Sequence, residues 1–229
     1  MNIIINGGTR GIGRELVLKL SHDNKNQVFV TGRNKISLNK IASLSGNIHT
    51  YELDITSPET DYELLTKSIK KHFKSIDILI NNAGMLVSKP FTEMHEDDAR
   101  KMMETNFFGP AFLIKKLKPI MSEGSHIVNI ASMGGFQGSV KFRGLSYYSA
   151  SKAALAALSE CLASEFSDSK ISVNCLALGS VQTEMLAEAF PGYKASVTAQ
   201  EISEFISYFA LNGHKFFNGK ILPVAISTP

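Results

Sequence analysis

Tyr148 and Lys152 stand four residues apart in Tyr148-Ser149-Ala150-Ser151-Lys152, at the start of a helical stretch rich in Ala and Ser. Four residues bring two side chains onto one face of a helix. A free phenol titrates near pH 10, and a neighbouring ammonium favours its ionised form. The pair therefore suits proton transfer to a carbonyl oxygen near neutral pH. Ser132 ends an apolar run in Ile130-Ala131-Ser132-Met133-Gly134-Gly135. A hydroxyl there can hydrogen-bond the same oxygen and steady the charge that develops on it.

Near the start of the chain, Asn6-Gly7-Gly8-Thr9-Arg10-Gly11-Ile12-Gly13 follows an apolar run and opens a helical stretch. Glycines at 7, 11 and 13 permit a tight turn, close approach of backbone to a pyrophosphate, and close helix–strand packing. The candidate dinucleotide contacts here are Gly7, Thr9, Arg10, Gly11, Ile12 and Gly13. The spacing is not the G-x-G-x-x-G of longer dinucleotide-binding domains. No Gly-Lys-Ser/Thr follows, which argues against a nucleotide triphosphatase. Arg10 lies inside the loop and Arg33 lies in Thr31-Gly32-Arg33-Asn34, just past the second apolar run. An NAD enzyme places a carboxylate near that point for the ribose hydroxyls. Two guanidiniums instead suit a 2′-phosphate, which they can grip with forked hydrogen bonds. The expected cofactor is NADP(H) in preference, with NAD(H) left open.

These groups need a scaffold, and the chain spells one out. Apolar runs at 2–5, 27–31, 48–53, 77–80, 126–131, 171–177 and 221–226 are rich in Ile, Val and Leu without strict alternation. Strands covered on both faces read this way. Helix-length segments lie between them at 11–22, 35–44, 58–73, 95–118, 146–166 and 199–211. The alternation predicts one α/β domain over 1–229. It would be doubly wound and Rossmann-type, with a parallel sheet of about seven strands and helices on both faces. The cofactor crevice should lie at the carboxyl ends of the strands.

With these residues in place, the chain resembles the short-chain dehydrogenase/reductase family in its shorter, single-domain form. The resemblance covers nearly the whole chain. It rests on Gly7…Gly11-x-Gly13, Leu53-Asp54-Ile55, Asn81-Asn82-Ala83-Gly84, Asn106, Ser132, Tyr148-x-x-x-Lys152 and Asn174…Gly179-x-Val181-x-Thr183. It implies that Asp54, with Ile55 beside it, meets the adenine edge, and that Asn82, Ala83 and Gly84 line the adenosine ribose. Lys152 would hold the nicotinamide ribose, and Val181 and Thr183 the carboxamide. Ser132 would position a substrate carbonyl, Tyr148 would transfer the proton, and Asn106 would support a water relay to Lys152. One feature supports the Asn106 role independently. Pro110 lies four residues later and has no N–H, so the Asn106 carbonyl loses its helical donor and a kink is expected.

The sequence departs from the family pattern at several points. Asn6 replaces the usual threonine before the glycine loop, and Leu178 stands where proline often precedes Gly179. The spacing from Ser132 to Tyr148 exceeds the usual one, with the extra length around 139–145, including Lys141 and Arg143. That suggests an altered substrate rim. The ending Leu222-Pro223-Val224-Ala225-Ile226-Ser227-Thr228-Pro229 lacks the acidic-glycine finish of the 3-oxoacyl reductases. Met85, Leu86, Phe136, Met185, Leu186, Phe190 and Tyr193 fall on segments expected to surround the nicotinamide, giving an apolar pocket. Residues 184–198, with Pro191-Gly192, are expected to form a mobile lid.

The resemblance also implies a homodimer or homotetramer, formed through helices 95–118 and 146–166 with Phe107, Phe108 and Phe112. A net charge of +3 is scattered, which argues against a nucleic-acid partner. No apolar run reaches the ~18 residues of a membrane span. Cys161 and Cys175 cannot make a disulfide framework, the histidines lack metal-ligand spacing, and no metal is expected. Both cysteines are read as packing residues. Met1 leads almost directly into Ile3-Ile4-Ile5 without a charged leader, so a cytoplasmic protein is expected. The leading reading is an NADPH-dependent oxidoreductase interconverting a small apolar carbonyl and its alcohol. The alternatives are a non-catalytic NADP-binding, redox-sensing module and, less favoured, a sugar-nucleotide epimerase.

Overall fold

The computed structural model describes residues 1–57 and 61–226. The expected start of a helix at 58, and Ser227, Thr228 and Pro229, lie outside them. The elements run β1 (Asn2–Asn6), α1 (Gly11–Ser21), β2 (Gln27–Gly32), α2 (Lys35–Ala42), β3 (Ile48–Glu52), α3 (Tyr62–Lys70) and β4 (Ile76–Asn81). There follow α4 (Glu96–Met103), α5 (Gly109–Leu117), β5 (Met121–Ser132), α6 (Ser146–Glu165), β6 (Ser172–Leu178), β7 (Val181–Gln182), α7 (Glu184–Ala189), β8 (Val197–Thr198), α8 (Ala199–Asn212) and β9 (Ile221–Val224).

Seven strands form one sheet in the order β3-β2-β1-β4-β5-β6-β9, and every neighbouring pair is parallel. The chain winds outward from β1 to β3, then returns to β4 on the other side of β1. The winding direction reverses between β1 and β4, and such a reversal opens a crevice at the carboxyl ends of the two strands. Successive residues point to opposite faces. Ile3, Ile5, Val28, Val30, Ile78, Ile80 and Val128 pack with α1, α2 and α8. Ile4, Phe29, Leu79, Ile127 and Val173 pack with α3, α5 and α6. This double burial explains the runs of apolar residues without alternation.

One row on the second face is polar. Thr31, Asn6, Asn81 and Asn129 are register partners across β2, β1, β4 and β5. Thr31 Oγ1 donates to Asn6 Oδ1 at 3.0 Å. Asn81 Nδ2 donates to Asn129 Oδ1 at 2.8 Å, and Asn129 Nδ2 donates to Ser159 Oγ on α6, also at 2.8 Å. Asn6 Nδ2 and Asn81 Oδ1, on the two strands that flank the crevice, are buried without a partner among the described residues.

His126 sits on the other face with 1% exposure. Nδ1 meets the Ala210 carbonyl at 3.0 Å, so it carries the proton. Nε2 then accepts from Asn174 Nδ2 at 3.0 Å. The ring packs against Phe209 and His214. Burial, with His214 adding to it, lowers its pKa from 6.5 to about 4 against the pull of the Ala210 hydrogen bond. The folded state thus holds the neutral ring, and its advantage is complete above about pH 6.5 and lost as pH falls through about 4. The loss amounts to about 3 kcal/mol across that window. Urea unfolding at pH 7 and pH 4.5 should show the parent losing more stability than His126→Gln, which cannot titrate. Equal pH dependence in the two proteins would exclude His126 as the cause.

Candidate active site

The glycine loop leaves β1 at the crevice. Gly7 and Gly8 donate to the Thr31 carbonyl at 2.9 and 3.4 Å. Gly7 has φ +83, a left-handed conformation that favours glycine. A Cβ on Gly13 would stand 2.0 Å from the Gly7 carbonyl oxygen, so only glycine fits there. Arg10 is the N-cap of α1 but makes no side-chain cap, and the first turn of α1 carries no acidic residue. The positive end of α1 is therefore uncapped, the arrangement that receives a phosphate. Asn82 Nδ2 donates to Gly7 O at 2.8 Å, and Ala83 N–H to Asn6 O at 2.8 Å, tying the end of β4 to the loop. A cleft of about 650 Å³ runs from here across the sheet. These features fit a dinucleotide.

Of the expected cofactor contacts, all but Gly13 line this cleft: Thr9, Arg10, Gly11, Ile12, Arg33, Asp54, Ile55, Asn82, Ala83, Gly84, Tyr148, Lys152, Val181 and Thr183 join Gly7 there. Gly13 lies behind it as a packing glycine. Asp54 Oδ1 accepts from Thr56 N–H at 2.9 Å and Thr56 Oγ1 at 2.7 Å, which fixes the turn after β3. Thr183 caps α7, accepting from Leu186 N–H at 3.3 Å. Gly179, after Leu178, is anchored by donation to Val224 O at 2.9 Å, so the missing proline does not leave that turn free.

Ser132, Tyr148 and Lys152 meet in the same cleft. Lys152 is only 4% exposed, and Nζ donates to the Ile130 carbonyl at 2.9 Å. Burial lowers its pKa from 10.5 to about 8. Tyr148 corrects one expectation. Burial raises its pKa above the ordinary phenol value, and the counter-pull is a hydrogen bond with Ser132 rather than the Lys152 ammonium. Ser132 Oγ also accepts from Gly134 N–H at 3.2 Å.

Asn106 does not line the cleft but stands behind it. Residues Glu104–Phe108 form a π-helical turn, closed by Gly109 N–H donating to Glu104 O. The kink expected at Pro110 therefore takes this form: the proline cannot donate to the Asn106 carbonyl, and the helix widens instead. The Asn106 side chain clamps Met85, accepting from its N–H and donating to its carbonyl, both at 2.8 Å. It also donates to Ser151 Oγ at 2.9 Å. A Cβ on Gly84 would lie 3.4 Å from Lys152 Nζ and 3.5 Å from Asn106 Oδ1, so Gly84 keeps the space between them clear.

The sequence model described as short chain dehydrogenase matches residues 1–194. The chain belongs to the short-chain dehydrogenase family. An uncharacterized oxidoreductase of Staphylococcus aureus (strain MRSA252) is 31% identical over 219 residues, covering 94% of this chain and 92% of the relative. A short-chain dehydrogenase/reductase structure from Brucella melitensis superposes with a TM-score of 0.88 at 25% identity, covering 100% of this chain and 96% of that one. The structure of ElxO with NADP bound gives 0.83 at 30% identity, covering 98% and 96%. The protein is an oxidoreductase of this family, whose members use nicotinamide cofactors.

At the substrate end of this dehydrogenase, Leu86, Met185, Leu186, Phe190 and Tyr193 line the cleft as expected. Met85 and Phe136 do not. The Met85 backbone is held by Asn106, and the Phe136 carbonyl accepts from Lys141 Nζ at 2.6 Å and Ser139 Oγ at 2.9 Å. The lengthened segment therefore turns Lys141 onto itself and supplies apolar groups instead: Phe142 and Leu145 line the cleft, as does Met133. The expected lid contains the short helix α7, and β7 pairs with β8 beneath it. Two features escaped the sequence reading. Glu184 lines the cleft, and Glu188 Oε1 lies 3.3 Å from Arg10 Nη1.

Proposed function

We propose that the protein is an NADPH-dependent reductase of a small apolar carbonyl compound, or a dehydrogenase of the corresponding alcohol. The observation that carries this reading is the convergence of Ser132, Tyr148 and Lys152 in one cleft with the glycine loop. When bound, the cofactor supplies or accepts the hydride. Ser132 donates a hydrogen bond to the substrate oxygen. Tyr148 Oη holds the proton that this oxygen gains, and burial keeps the phenol protonated until it is needed. Lys152 offers its ammonium to a ribose hydroxyl, leaving Ile130 O, and its charge lowers the cost of a developing phenolate. Asn106 acts one layer back, holding the Met85 backbone in place and supporting a water relay to Lys152. Val181 and Thr183 would hold the carboxamide beside the reacting centre, and at the other end Asp54 and Ile55 would flank the adenine and Asn82 to Gly84 the adenosine ribose. Incubating the protein with NADPH and a panel of ketones and aldehydes, read at nicotinamide absorbance, tests the activity. No turnover with tight NADPH binding would favour a redox-sensing module.

The proposed preference for NADPH rests on Arg10, in the glycine loop, and Arg33, just past β2, both of which line the cleft. A charge-assisted hydrogen bond is worth about 1.5–3 kcal/mol, so Arg33→Ala should weaken NADPH by tenfold or more and leave NADH nearly unchanged. Direct titration with both cofactors measures this, and an unchanged ratio would remove Arg33 from the phosphate grip.

We place residues 1–229 in one domain, since the sheet takes strands from both ends of the chain. Self-association as a homodimer or homotetramer is supported by exposed Phe108, at the end of the π-helical turn, stacked at 5.9 Å on exposed Phe112 of α5, and by exposed Ala157 and Ser164 on α6. Among the described residues, no helix is long and apolar enough to cross a membrane. Both cysteines are free, Cys161 exposed and Cys175 buried, which suits a reducing cytoplasm and leaves only Cys175 as a packing residue.

A further inference from the structure

We infer that Glu188 is a specificity-determining residue for the cofactor, acting by competing with the 2′-phosphate for Arg10; this rests on the reading of Arg10 given above. Helix α7 lays two carboxylates along the glycine loop. Glu188 Oε1 lies 3.3 Å from Arg10 Nη1, joining residues 178 positions apart in sequence. Glu184, one turn earlier on the same face of α7, has Oε2 only 3.4 Å from where a Cβ on Gly11 would be. Thr183, at the start of the helix, packs there too, with Cγ2 at 3.4 Å. The acidic face of α7 thus rests on the segment that must receive a dinucleotide's phosphates, and Arg10 is its counter-charge.

A phosphate arriving at Arg10 meets one of two costs. Either the guanidinium gives up Glu188, or the phosphate sits beside a carboxylate. A ribose hydroxyl in the same place brings no charge and meets neither. Glu188 therefore narrows the discrimination that the two arginines create, while Arg33 has no ion-pair partner among the described residues. The Arg10 and Glu188 side chains are 56% and 67% exposed. Pairs this exposed are worth little, so the effect on affinity should be about 2- to 5-fold. The contact also links α7 to the charge at the far end of the cofactor, because a bound phosphate withdraws the partner that ties α7 to the loop.

NADPH and NADH affinities should be measured by nicotinamide fluorescence, without substrate, for the parent, Glu188→Gln, Arg10→Ala and the double variant. The inference expects Glu188→Gln to tighten NADPH about 2- to 5-fold, to change NADH much less, and to lose its effect in the Arg10→Ala background. It is overturned if Arg10→Ala reduces the NADPH preference while Glu188→Gln leaves it unmoved. It is overturned equally if the gain persists undiminished without Arg10, since Glu188 would then act by simple repulsion. If Arg10→Ala itself leaves the NADPH-to-NADH ratio unchanged, the assignment of Arg10 to the phosphate fails first, and the inference falls with it.

Discussion

Tyr148→Phe is expected to lower turnover of a carbonyl substrate by about 10²–10⁴-fold, the usual worth of a placed proton donor. The change removes one hydroxyl and keeps the ring, so the fold should survive. NADPH affinity should also survive, because the glycine loop, Arg33 and Lys152 are untouched. The half-buried setting of the phenol in the cleft wall adds a second expectation. With its pKa raised by burial, the free protein's phenol stays protonated throughout the neutral range. The parent's reduction rate should therefore not fall off between pH 6 and 8 through loss of the tyrosine proton. Steady-state rates across that range, with NADPH binding measured in parallel, check both points. A Phe variant as fast as the parent would remove Tyr148 from the chemistry.

Lys152→Met should separate activity from stability. Loss of the ammonium would remove the proposed ribose contact, worth about 1.5–3 kcal/mol, so cofactor affinity should drop by tenfold or more. Turnover should fall with it by a further 10²-fold or about that, as the phenolate loses its supporting charge. The folded protein should respond in the opposite sense. Burial holds the Lys152 pKa at about 8 instead of 10.5. Below pH 8 the fold must keep a buried ammonium that the unfolded chain holds freely in water. That penalty is about 3 kcal/mol, is complete below the folded pKa, and fades as pH rises from about 8 towards 10.5. Methionine escapes it but leaves the Ile130 carbonyl without its donor, a cost of about 1–3 kcal/mol. The variant should melt at or above the parent's temperature at pH 7 while losing activity. A large fall in melting temperature would show that Lys152 supports the fold and would make the activity loss uninformative. Active-site groups commonly carry such a conflict between stability and function.

The scaffold was readable because both faces of the sheet are covered. That forces continuous Ile, Val and Leu runs, which no surface strand would show. β5 is the exception: it begins at Met121, not at His126, because Ser122, Glu123 and Gly124 extend it beyond the core. The register shift between Ile76 and Ile78 accommodates the addition. Helix α7 was missed because its six residues are too few for a periodic pattern, and it is set by the Thr183 cap and the β7–β8 pair. At the site, glycines and the Tyr148/Lys152 spacing are local signals and were legible. The Arg10–Glu188 contact was not, because nothing local ties position 10 to position 188. The direction of the Tyr148 pKa was misjudged for a related reason. Sequence spacing shows that a lysine lies near, whereas burial depends on everything packed around the phenol.

The polar row across the sheet has an energetic consequence. Thr31 and Asn6 are laced together on one side, and Asn81, Asn129 and Ser159 on the other. Where the two leaves meet, the amide of Asn6 and the carbonyl of Asn81 stay unmatched. The β1–β4 backbone ladder runs unbroken through Asn6 and Asn81, so the mismatch is one of side chains alone, set directly beneath the place where the strand order reverses. Each such buried polar atom costs about 1–3 kcal/mol, and the sheet carries that cost at the one edge where the cleft must open.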